Sequence, residues 1–85
     1  MERLKKEKIL HYYAIFEPAE ESGYNVSFPA FPGCVTFGRT FEHAKRMAEE
    51  VLGLWLEELR AEHEKIPAPS HPIVDRVRVR IPAGR

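Results

Sequence analysis

Apolar and polar residues along this chain alternate first, then recur at helical spacing, then alternate again. Residues 9–16 (ILHYYAIF) are rich in β-branched and aromatic types and predict a first strand. Pro18 to Gly23 has turn chemistry, a proline and polar residues closed by glycine. From Tyr24 to Phe28 the alternation is strict. Tyr24, Val26 and Phe28 fall on one side and Asn25 and Ser27 on the other, which predicts a half-buried strand antiparallel to the first. Pro29-Ala30-Phe31-Pro32-Gly33 cannot continue a ladder and predicts a corner. Cys34 to Phe37 then predicts a short third strand.

Gly38 and Arg39 turn the chain into a helix predicted from Phe41 to about His63. Thr40 is a good N-cap and Glu42 sits where the helix dipole favours an acid. Phe41, Ala44, Ala48, Val51, Leu52, Trp55 and Leu59 recur at three- and four-residue spacing, with Glu42, Arg46, Glu50, Glu57 and Arg60 opposite. Met47, Leu54 and Leu56 widen the apolar face to roughly 200°, against about 100° for a typical surface helix. One sheet face cannot cover all of that. Either loops cover the margin, or Met47 and Leu54 meet a second chain. Pro67, Pro69 and Pro72 predict an extended connector. Ile73 to Ile81 (IVDRVRVRI) predicts a fourth strand, Val77, Val79 and Ile81 inward and Arg76, Arg78 and Arg80 outward. The order β-β-β-α-β predicts an α+β domain, an antiparallel sheet with one helix packed across a face. A single domain is expected over 1–85, with a frayed start at 1–8, a folded core at 9–81 and a tail at 82–85.

Composition narrows the chemistry. The 85 residues carry nine aromatics (one Trp, three Tyr, five Phe), enough for one modest core. Lys and Arg number 13, as do Asp and Glu, so no net field steers the chain onto nucleic acid. Direct DNA binding is not expected. The Arg76-Arg78-Arg80 row is the one local feature suited to weak RNA contact, to an acidic partner, or simply to solvent. No membrane-length apolar run occurs, and Cys34 is the sole cysteine, which fits a reducing cytoplasm. His11, His43, His63 and His71 lack metal-ligand spacing. The predicted strands offer only Glu17 and Asp75, too few acids for two-metal chemistry. The chain is not expected to be an enzyme or to hold a cofactor or metal.

The order of elements, with particular residues, resembles the HicB antitoxin family from about Tyr12 to Ser70. The resemblance rests on Tyr12 to Phe16, on Gly23 to Pro29, on Phe31-Pro32-Gly33-Cys34-Val35-Thr36, on Gly38-Arg39-Thr40 with Ala44 following, and on Ile66-Pro67-Ala68-Pro69-Ser70. The Pro-Gly-Cys corner and the Gly-x-Thr helix start are specific together rather than singly. Of these, Pro32, Gly33, Gly38, Thr40 and Ala44 are read as fold residues: Gly33 and Gly38 where the backbone bends, Thr40 as a cap, and Ala44 where helix nears sheet. Three positions depart from the family's frequent acids, being Ala30, Arg39 and His43 here.

The resemblance implies a partial ribonuclease-H-like fold and a partner, a small HicA-like toxin acting as an mRNA interferase, neutralised by steric occlusion. Many members add a C-terminal DNA-binding module. None fits before Arg85, so operator binding is left out of the expectation. The alternative is a solitary oligomeric module without a toxin. Either way a homodimer or tetramer is expected, with Met47, Leu54, Arg76, Arg78 and Arg80 as candidate interface residues.

Overall fold

In the computed structural model, residues 8–84 are described. Three strands come first, β1 (Ile15–Pro18), β2 (Tyr24–Ser27) and β3 (Val35–Gly38), followed by one helix, α1 (Phe41–Ala61). The sheet order is β1-β2-β3, antiparallel throughout, with Phe16 opposite Val26 and Val26 opposite Thr36. The expected frayed segment 1–8 lies, but for Lys8, outside the described residues.

β1 begins six residues later than the sequence predicts, and the register gives the reason. Ile15 pairs with Ser27, so Tyr13 would fall opposite Pro29, which has no N–H to offer. Residues 9–14 remain without a ladder. The ladder runs on instead to Pro18, tolerated because β1 is an edge strand. Ala19 N–H then donates to the Gly23 carbonyl at 2.8 Å, closing the loop on a glycine with φ of 86°.

The corner between β2 and β3 is two successive turns. Phe31 N–H donates to Phe28 O and Cys34 N–H to Phe31 O, each at 3.0 Å. In the second turn Pro32 takes the position that its ring pre-sets, and Gly33, with φ of 93°, takes the following one that L side chains avoid. This geometry tucks both corner phenylalanines inward. Phe28 and Phe31 join Val26, Cys34, Ala44 and Ala48 as the buried core, and each buried Val or Phe contributes about 1.5–3 kcal/mol. Tyr12 meets Phe31 edge-on at 4.9 Å between ring centroids.

α1 starts where its cap dictates. Thr40 is extended, and its Oγ1 accepts from His43 N–H at 3.0 Å. His43 reciprocates one residue further out, its Nδ1 accepting at 3.0 Å from the N–H of Arg39, the residue before the cap, so an imidazole makes a shifted form of the capping-box return bond. The helix sits mainly over β3, because Gly38 lets it come close. A Cβ on Gly38 would run into the backbone nitrogen, Cα and methyl of Ala44, which is itself fully buried. Gly38 therefore serves close approach, directly before the bend at Arg39 and Thr40. The helix ends in a left-handed residue, His63, with φ of 58°. His63 N–H donates to Arg60 O at 3.0 Å and Glu64 N–H to Leu59 O at 2.8 Å, the pair of bonds that closes a helix C-terminus.

The fourth strand is not formed. Residues 73–81 have no ladder to any other described segment, and Ile73, Val74, Val77, Val79 and Ile81 are 71–91% exposed. The alternation specifies which residues share a face, but a strand also needs a neighbour. Within one chain this segment does not take one. It stands off as an arm, and the radius of gyration is 17.7 Å, against about 12 Å for a compact chain of this length. The observed order is therefore β-β-β-α with an extended arm, still an α+β fold.

Candidate protein-binding surfaces

Three surfaces carry exposed apolar side chains. The first is the sheet face turned away from α1. The register places Ile15, Ser27 and Val35 in one row and Glu17, Asn25 and Phe37 in the next. Val26 and Phe16 point to the helix side, so these six point outward. Val35 is 61% and Phe37 43% exposed, and Ile15 is also exposed. Beyond the strand, Tyr13 continues this face and meets His71 of the connector edge-on at 5.9 Å. Sequence reasoning missed this surface. The signal was present in the β3 alternation, which puts Val35 and Phe37 on one side and Cys34 and Thr36 on the other.

The second surface is the helix margin. Leu54 is 61% exposed while Met47, two turns earlier, is half-buried. Phe41, at the helix start, is exposed as well, although it packs edge-on against Phe16 and Tyr24 at 5.0 and 6.0 Å. Trp55 is half-buried and packs against the core.

The third surface is the arm. Arg76, Arg78 and Arg80 are all exposed, on the opposite side from Val77, Val79 and Ile81. The structure does not bring this row onto the helix margin. The hydrogen bond here is local, Arg76 N–H to Asp75 Oδ1 at 2.7 Å. What fixes the root of the arm is Tyr12, whose hydroxyl donates to Pro67 O at 2.7 Å. Beside that bond an open cleft of about 850 Å³ lies between Leu10 and Tyr12, Leu56 and Arg60 of α1, and Ile66 of the connector.

Among the described residues, no three His, Cys, Asp or Glu side chains gather to hold a metal. Cys34 is buried, and burial pushes its thiol pKa up, away from the nucleophilic thiolate. Glu62 is also raised, by its hydrogen bond to and repulsion from Glu58 one turn earlier, with Glu64 adding to the repulsion; this is a solvent-exposed pair at a helix end. No described helix is long and apolar enough to cross a membrane.

Known proteins are similar to this chain in sequence. Residues 12–79 match the family described as the HicB-like antitoxin of bacterial toxin–antitoxin systems. The match passes the connector and takes in most of the arm. Antitoxin HicB 1 of Photorhabdus laumondii is 44% identical over 62 residues, which cover 73% of this chain but only 40% of that protein. A UPF0150 protein of Synechocystis is 35% identical over 60 residues, covering 71% of this chain and 76% of its own length. A UPF0150 protein of Thermoplasma acidophilum is 36% identical over 58 residues, covering 68% and 84%. With four-fifths of its length inside the family match, this chain belongs to the HicB-like antitoxin family of bacterial toxin–antitoxin systems.

Proposed function

We propose that this domain binds a small HicA-like mRNA interferase and neutralises it by covering its active site. The observation that carries the reading is the outward sheet face. Ile15, Val35 and Phe37 stay exposed on a rigid three-stranded sheet, separated by Ser27 and Asn25, which supply polar contacts. Apolar residues spaced by polar ones on a preformed surface are what a protein partner recognises, and occlusion needs complementarity rather than a reactive group. Membership of an antitoxin family supplies the class of partner.

The test is co-expression with a HicA-like mRNA interferase. Native domain should co-purify with that protein in fixed ratio and suppress its cleavage of messenger RNA. Phe37→Asp, at a position already 43% exposed, should fold normally and raise the dissociation constant by about 100-fold, the loss of one aromatic anchor. Full suppression by Phe37→Asp would place the interface elsewhere. A second reading, an oligomeric module that touches RNA weakly, is favoured by the free arginine row. It requires RNA binding that falls with salt and is lost in Arg76→Ala, Arg78→Ala, Arg80→Ala.

A further inference from the structure

The arm at 73–81 has the pattern of a strand, stands clear of its own chain, and leaves four apolar side chains of one face in water. Two sheet edges are open to it among the described residues, β1 and β3. They are not equivalent. The helix lies mainly over β3, whose inner side it already fills through Gly38 and Ala44. The residue after β3 is Arg39, which would repel a row of arginines. β1 differs on both counts. Its inner residue Phe16 is only half-buried, and Phe41 beside it is exposed, so apolar contact is available next to this edge. Its outer side carries Glu17, and the loop that follows carries Glu20 and Glu21, all exposed.

A strand added to β1 with Ile73, Val77, Val79 and Ile81 toward the helix side lays Arg76, Arg78 and Arg80 on the outer side, the side of Glu17. Both patterns match in that orientation except at the root of the arm, where Asp75 shares the inner face and Val74 the outer one. Pairing two arms with each other over their full length matches poorly, because antiparallel registers about Val77, Arg78 or Val79 set arginine opposite arginine. We infer that the arm of each chain completes the sheet of a second copy along the free edge of β1, making a twofold strand-exchanged dimer. Pro72, at the root of the arm, favours extended backbone and donates no hydrogen bond, which suits a segment that leaves one body for another.

The inference is independent of any toxin, so the native chain alone tests it. Sedimentation at tens of micromolar should give a dimer. Val77→Asp with Val79→Asp, both at positions more than 70% exposed and so harmless to the fold of one chain, should give a monomer up to at least about 100-fold higher concentration. Glu17→Cys in a tagged batch is then mixed with untagged Arg76→Cys, Arg78→Cys or Arg80→Cys and treated with a short bis-maleimide, buried Cys34 staying silent. A crosslinked band at the summed mass of tagged and untagged chains is expected for at least one pairing. A monomeric native chain overturns the inference, as does a dimer that survives the double aspartate change. Crosslinking of an arm cysteine only to its own kind would replace it with an arm-to-arm ribbon.

Discussion

Gly38 and Gly53 offer opposite outcomes from the same chemical change, and the comparison measures how tightly the helix sits on the sheet. Replacing Gly38 by alanine puts a methyl where the Ala44 backbone and methyl already are. A flexible side chain could swing aside, but a helix backbone at its first turn can yield only by lifting off β3. Overpacking of this kind costs about 3 kcal/mol, the upper end of the usual range. A chain of this size holds roughly 4–13 kcal/mol in total, so the loss is a large share. For a domain of this length it lowers Tm by about 12 °C or more. Gly53 is the control. It is exposed in mid-helix with nothing within 4 Å of an added Cβ, so Gly53→Ala should stabilise by about 0.5–1 kcal/mol through helix propensity alone. Urea unfolding followed by the fluorescence of Trp55, the single tryptophan, reads both. A Gly38→Ala midpoint indistinguishable from native, or a Gly53→Ala loss as large as that of Gly38→Ala, would refute the reasoning.

Other outcomes follow from the helix ends and the core. His63→Gly should raise stability by about 0.5–1 kcal/mol, because the left-handed φ of 58° strains a side-chain-bearing residue and suits glycine; thermal melts decide it. His43→Glu should keep the reciprocal cap and add a charge favoured at a helix start, giving about 0.3–1 kcal/mol that high salt reduces. Cys34 should resist a disulfide-exchange reagent in the native state and react fully in urea. Since its thiol pKa is raised on folding, its contribution is complete below the ordinary thiol range near 8.5 and is lost as pH climbs from there through the folded value, so the urea midpoint should fall on that side only.

How much of this was legible follows from what each signal encodes. The helix was plain from its spacing, and its start from Thr40, because both are local properties. Its end came two residues early, at Ala61, since the stop lies in His63 taking a left-handed turn and histidine seldom announces one. The β1 boundary was hidden because it depends on what lies opposite, and Pro29 is sixteen residues from Tyr13 in sequence. The corner was read correctly as a corner, but the burial of Phe28 and Phe31 depends on two turns in succession. The arm is the sharpest case. Val77, Val79 and Ile81 specify a face, yet no single-chain pattern specifies whose sheet receives it. The outward sheet face was recoverable in principle, by carrying the parity of Asn25 and Ser27 across to Phe37 and Val35.

The contacts that build the body join neighbours in sequence: β1 to β2, β2 to β3, and β3 to the helix right after it. Such a topology needs little loop closure and so folds fast. During synthesis from the N-terminus the sheet and helix can therefore form once Ala61 has cleared the ribosome, before the arm that follows has emerged. The Tyr12 bond to Pro67, which ties residues 55 apart, is among the last to close, and the arm is released after it. Each body is thus finished before its own arm is free to compete for a sheet edge, and the order of emergence leaves that edge open to whichever chain arrives first.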